Sequence, residues 1–184
     1  MNVLIFSGCL DKREHAISKR IANYLMQQLQ LAGHVPTVYF ISDHDIPLFD
    51  FAWQTPPAVI REMSDIFLHA EVQIWMTPLY HGSMTGAMKN CLDWLEVTRK
   101  CSPPYLEGKI IGLICWADGL HALQGVNAMD PVVKALRAWV LPFCVPIIKQ
   151  NLFNDSAESI SKEYKQKLDL MLDLLVSKRI EVIV

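Results

Sequence analysis

The chain has 184 residues, 52% hydrophobic and 20% charged, with a formal net charge of −2 and a sequence pI near 6.3. That length and apolar content suit one domain, residues 1–184, around a sizeable core, and they exclude a disordered chain. The charge balance offers nucleic acid no basic surface, and no apolar stretch reaches the roughly 20 residues of a membrane-spanning helix.

Val3 to Phe6 reads as a first strand, followed by the polar loop Ser7 to His15 and a helix in which Ile17, Ile21, Leu25 and Leu29 recur every four residues. Gly33 ends that helix. Phe6-Ser7-Gly8-Cys9 superficially resembles a lipoprotein cleavage site, but no basic residue precedes Val3 and the apolar run is far below the roughly 7 residues of a signal core. A loop of this kind at a helix N-terminus can hold a phosphate with its backbone N–H groups, with Arg13, Lys12, His15 and Ser18 as candidate helpers. The five cysteines are odd in number and contain no C-x-x-C pair, which points to reduced thiols and a cytoplasmic setting.

Val35 to Ile41 reads as a second strand with Pro36 at an edge, and Ser42 to Pro57 as a loop rich in Asp and Pro. Its aspartates have no metal-ligand spacing beyond proximity. A helix from about Pro57 to Ala70 should bury Val59, Met63, Ile66 and Phe67. Val72 to Met76 is then a buried third strand running into Thr77-Pro78-Leu79-Tyr80-His81-Gly82-Ser83. Ser83 or Thr85 can cap the next helix, whose apolar side is Met84, Ala87, Met88, Cys91, Leu92 and Leu95.

After a connector marked by Pro103-Pro104, Lys109 to Trp116 reads as a fourth strand covered on both faces, ending at Ala117-Asp118-Gly119. A helix from about His121 to Val140 should kink or break near Met129 because of Pro131. Phe143 to Ile148 makes a fifth strand. Asp155 and Glu158 resemble a helix start, and Ile160, Tyr164, Leu168, Leu172 and Leu175 form the stripe of a last helix. The apolar tail Ile180 to Val184 either docks on a partner chain or frays. Five strands alternating with helices give an α/β, doubly wound five-stranded parallel sheet of order 2-1-3-4-5.

The Thr77-to-Ser83 turn, followed by Gly86, Lys89-Asn90 and Asp93-Trp94, resembles the signature of the flavodoxin-like NADPH-dependent FMN reductase family. The resemblance covers the first loop with departures: Gly8 matches, Cys9 stands for a serine, and Asp11 for the usual arginine, so that Arg13 or Lys12 would have to supply the missing charge. Asp45 to Asp50 matches a segment near the flavin edge and the partner subunit, and Ala135-Leu136-Arg137-Ala138-Trp139 with Pro142 resembles the ending of the family's corresponding helix.

The resemblance implies an FMN site built from Ser7, Cys9, Arg13, His15 and Ser18 around the phosphate. Thr77, Pro78, Leu79, Tyr80, His81, Gly82 and Ser83, with Ala117, Asp118 and Gly119, would lie around the ring. It also implies NADPH as the hydride donor to flavin N5, a small oxidised second acceptor (free flavin, a quinone or an azo compound), no catalytic side-chain nucleophile, and a homodimer or homotetramer. A flavin-binding electron carrier and a flavodoxin-like protein that has lost its flavin are the alternatives. The missing T/S-x-T-G-x-T loop weighs against the first, and only Cys9 and Asp11 support the second.

Overall fold

A run of apolar residues as unbroken as Val3-Leu4-Ile5-Phe6 suits a strand with both faces covered, because alternate side chains leave it in opposite directions. In the computed structural model, which describes residues 1–53, 55–154 and 159–177, that strand is β1 (Asn2–Ser7). Leu4 and Phe6 enter one apolar cluster, and Val3 and Ile5 enter another on the opposite face. The alternation repeats in β3 (Val72–Pro78) and β4 (Ile110–Ala117), where every residue is buried. Trp75, Leu113 and Cys115 point to the first cluster, and Ile74, Met76, Ile114 and Trp116 to the second.

β2 (Val35–Phe40) lies at one edge, and all pairings are parallel in the order β2-β1-β3-β4. The fifth place is shared by two short strands: β5 (Trp139–Val140) pairs with Ile110 and Ile111, and β6 (Val145–Ile148) with Ile114 to Ala117. The expected order 2-1-3-4-5 is therefore observed, with one strand more than the sequence suggested.

Helices α2 (Ala58–His69), α3 (Gly86–Trp94) and α4 (Ala122–Ala135) cover one face. Helices α1 (Ile17–Leu31) and α6 (Lys162–Val176) cover the other, and the single turn α5 (Lys149–Leu152) joins β6 to that side. In α2 the buried apolar residues are Ile60, Met63 and Phe67, whereas Val59 and Ile66 lie at the margin of the core. Helix α4 corrects two expectations. Of the expected kink or break near Met129, the break does not occur: the helix runs on through Pro131, and the carbonyl that loses its donor belongs to Asn127, an exposed residue. It also ends well before Val140. Arg137 turns left-handed (φ 63°), the Ala138 N–H bonds the Val133 carbonyl at 3.1 Å, and the chain leaves the helix to become β5. The region of Asp155 and Glu158 and the tail from 178 onward lie outside the described residues; α6 is preceded by Ser161.

No helix among the described residues is long and apolar enough to cross a membrane. All five thiols are free, with Cys9, Cys91 and Cys115 buried and Cys101 exposed.

Candidate functional site

Parallel pairing brings the carboxyl ends of β1, β3 and β4 side by side, since Ser7 pairs with Met76 and Pro78 with Trp116. The chain leaves β1 toward β2 on one side and later enters β3 on the other, so a crevice opens between the loops that follow β1 and β3. Open α/β sheets bind ligands at such a switch point.

The first loop, residues 8–16, feeds directly into α1. That helix has no side-chain cap and no acidic residue in its first turn, and Ala16 sits at the N-cap. Its first intrahelical bond is from the Arg20 N–H to the Ala16 carbonyl, which leaves the amides of Ile17, Ser18 and Lys19 without a helical acceptor. The Ser18 hydroxyl is buried in the same place and has no hydrogen-bond partner. Free amides, the positive end of a helix dipole and an unpartnered hydroxyl are the donors that a phosphate needs, so the residues present fit the phosphate of FMN.

Ser7 is buried, and its Oγ accepts from the Cys9 N–H at 3.4 Å. Cys9 packs in the apolar cluster beneath α1, which suits a small replacement for serine. His15 is exposed.

Asp11 resolves differently from expectation. Arg13 does not reach past it; its guanidinium folds back and grips the carboxylate at 2.9 Å from Nε and 2.7 Å from Nη2, while the Arg13 N–H bonds the same carboxylate at 3.0 Å. The pair is locally neutral, so the aspartate presents little net charge to a phosphate. The Arg13 side-chain hydrogen bonds, and then its backbone N–H, lower the Asp11 pKa to about 2. Because the folded value lies below the ordinary 3.8, this contact adds stability to the loop at pH values above 3.8 and loses it as pH falls toward 2. NMR titration of the Asp11 carboxyl should give a midpoint well below 3.8 in the native protein and a higher one in Arg13→Ala, where the guanidinium is lost and only the backbone N–H still bonds the carboxylate. A native midpoint at the ordinary value would contradict the clamp.

The second loop is a tight turn. Tyr80 and Ser83 exchange backbone hydrogen bonds of 3.1 and 3.0 Å, and both residues between them have positive φ, 50° at His81 and 81° at Gly82. That is the pattern of a type I′ turn, which favours Asn or His before Gly and so explains His81-Gly82 by backbone geometry. Thr77 and Pro78 are buried at the end of β3, and the Leu79 N–H bonds the Trp116 carbonyl at 2.8 Å, tying this loop to β4. Tyr80 and His81 project into solvent at the crevice.

The third loop begins at Ala117, buried at the end of β4, and continues through Asp118, whose carboxylate meets Lys149 Nζ at 2.9 Å, to half-buried Gly119. Exposed Leu120 follows, and His121 is exposed at the start of α4.

The Lys-Asn and Asp-Trp pairs of α3 acquire roles that residue types alone did not reveal. Lys89 and Asp93 form an ion pair one turn apart at 2.5 Å. Asn90 holds the segment after β2 from both sides, donating to the Pro47 carbonyl at 2.9 Å and accepting from the Phe49 N–H at 2.8 Å, and Trp94 Nε1 donates to the same Pro47 carbonyl at 2.8 Å. Asn90→Ala leaves the partly buried Phe49 N–H without its partner and takes one of two donors from the Pro47 carbonyl, which Trp94 still holds, so it should cost about 1–2 kcal/mol of unfolding free energy in urea titration. A loss below about 0.5 kcal/mol would show that water replaces the amide and that this segment is not fastened through it.

The fold and the crevice together define a doubly wound α/β protein with an uncapped helix start at its switch point. The profile of the NADPH-dependent FMN reductase family matches residues 1–151, and the chain belongs to that family. It is an oxidoreductase, and the family's cofactors are FMN and NADPH. Among curated proteins it is 27% identical over 175 residues to the NADPH-dependent FMN reductase ArsH of Rhizobium meliloti, covering 94% of this chain and 70% of that one. It is 23% identical over 185 residues to the FMN-dependent NADPH-azoreductase of Staphylococcus aureus, covering 96% and 94%. Among solved structures it resembles the flavoenzyme NAD(P)H:acceptor oxidoreductase FerB of Paracoccus denitrificans, with a TM-score of 0.73, 18% identity and coverage of 96% and 97%.

Proposed function

We propose that this chain is a single-domain NAD(P)H-dependent FMN reductase that delivers electrons to a small oxidised acceptor such as free flavin, a quinone or an azo compound. The observation that carries the reading is the uncapped start of α1, with its free amides and buried, unpartnered Ser18 hydroxyl, beside the Tyr80–Ser83 turn at the switch point. When bound, FMN would supply the hydride and electron-transfer chemistry between NADPH and the acceptor. The protein binds and orients. The amides of the α1 start and Ser18 hold the phosphate, with Lys12 and His15 at its rim and Arg13 neutralising Asp11. Thr77 to Ser83 support one edge of the ring, and Ala117 to Gly119 the other. No side chain of the site need act as a nucleophile.

Second copies of the chain belong to this reading. Leu10, Tyr80 and Leu120 are exposed on the three site loops, at 58%, 60% and 83%, and an apolar rim of this kind favours a homodimer or homotetramer that shields the ring from water. The free thiols favour a reducing, cytoplasmic location.

The acceptor is identified by steady-state NADPH oxidation with the FMN-loaded protein against free FMN, a soluble quinone and an azo dye in parallel. Turnover with at least one of them well above the rate with oxygen alone supports the reading. Oxygen-level rates with all three would favour an electron carrier that docks on another protein.

A further inference from the structure

The two halves of the crevice are joined by one buried side chain. Thr85, at the N-cap of α3, accepts the Met88 N–H on its hydroxyl at 3.0 Å and donates from the same hydroxyl to the Gly8 carbonyl at 2.7 Å. Its own N–H points to the Thr77 hydroxyl at 3.4 Å, which in turn donates to the Pro78 carbonyl at 3.0 Å. Gly8 is the hinge between β1 and the first loop. Its N–H is held by the Met76 carbonyl at 2.8 Å, and a Cβ added there would lie 2.7 Å from the Met88 side chain. Gly8 therefore sits against α3 with no slack, and Thr85 is the only side chain among the described residues recorded as bonding its carbonyl.

We infer that Thr85 is a positioning residue that sets the spacing between the phosphate loop and the ring-facing turn, through the chain Gly8–Thr85–Thr77–Pro78. The inference rests on the FMN reading of the site. A ligand anchored at both ends gains from the second anchor only if the separation is right, whereas a ligand using one anchor is indifferent to it. FMN and riboflavin differ in the phosphate alone, so the ratio of their affinities measures the spacing.

The test is fluorescence titration of the wild type, Thr85→Val and Thr85→Ser with FMN and with riboflavin, alongside urea unfolding of each. Valine keeps the branched shape and removes the hydroxyl; serine keeps the hydroxyl. We expect Thr85→Val to weaken FMN about tenfold and riboflavin by no more than about twofold, and Thr85→Ser to hold both within about twofold. A Thr85→Val variant that is folded and loses both ligands equally, or neither, overturns the proposal, as does a Thr85→Ser variant that behaves like valine. A wild type that binds FMN no better than riboflavin contradicts the phosphate site itself, which is a separate failure.

Discussion

Ser18→Asp is expected to abolish useful FMN binding, weakening it about a hundredfold or more while leaving riboflavin binding largely intact. The fold should tolerate the change better than burial alone suggests, because a carboxylate in the first turn of α1 meets three unpaired amides and the positive end of the helix dipole, an interaction of about 0.3–1 kcal/mol. The same carboxylate occupies the donors assigned to the phosphate and repels it. Charges of −1 and −2 about 5 Å apart repel by about 7 kcal/mol at an effective dielectric near 20, so a hundredfold loss, about 2.7 kcal/mol, is a conservative expectation. Ser18→Ala removes only one hydroxyl and should cost about fivefold. Fluorescence titration checks both. Full FMN affinity in a folded Ser18→Asp protein would place the phosphate elsewhere.

The second large effect concerns the packing behind the ring-facing turn. A Cβ on Gly125 would collide with Cys115 Sγ and would lie 3.2 Å from both Cys115 Cβ and Leu79 Cδ1. Helix propensity favours alanine over glycine by about 1 kcal/mol, but Cys115 belongs to the central strand β4, which cannot retreat without disturbing two neighbours. Overlap should win, and Gly125→Ala should lower the unfolding free energy by about 2 kcal/mol. It should also weaken FMN binding, since Leu79 is the first residue of the turn to be displaced. Adding Cys115→Ala removes the sulfur and nearly conserves volume, so the double variant should recover more than half of the lost stability in urea titration. A single variant as stable as wild type, or a double variant with purely additive losses, would mean that α4 does not rest on β4 through this contact.

Much of this architecture was legible because strongly patterned segments leave few choices. The run Val3 to Phe6, the four-residue rhythm of Ile17, Ile21, Leu25 and Leu29, and the fully apolar Ile110 to Ala117 each admit one element type, and parallel strands joined by helices then set the sheet order. The end of α4 was hidden for a physical reason. Arg137 adopts a left-handed conformation without being glycine, so no stop signal marks it, and the apolar spacing of Val132, Val133, Leu136 and Trp139 continues a helical pattern across the break.

In the site, the turn was visible because His81-Gly82 is itself a backbone requirement. The Asp11–Arg13 clamp was not, because two residues of opposite charge in a loop can face each other or a ligand with equal ease. The Thr85 link was hidden as well: a cap is readable from local sequence, but a bond to a residue 77 positions earlier depends on the assembled sheet.

The most direct test of the account is an anaerobic titration of the protein first with FMN and then with NADPH, following the flavin's visible absorption. The account predicts saturable binding, quenching of flavin fluorescence, and bleaching of the absorption band by one equivalent of NADPH per bound flavin. Absence of FMN binding by a folded protein would contradict the assignment of the α1 start as a phosphate site. Binding without bleaching would contradict its role as an NADPH-dependent reductase.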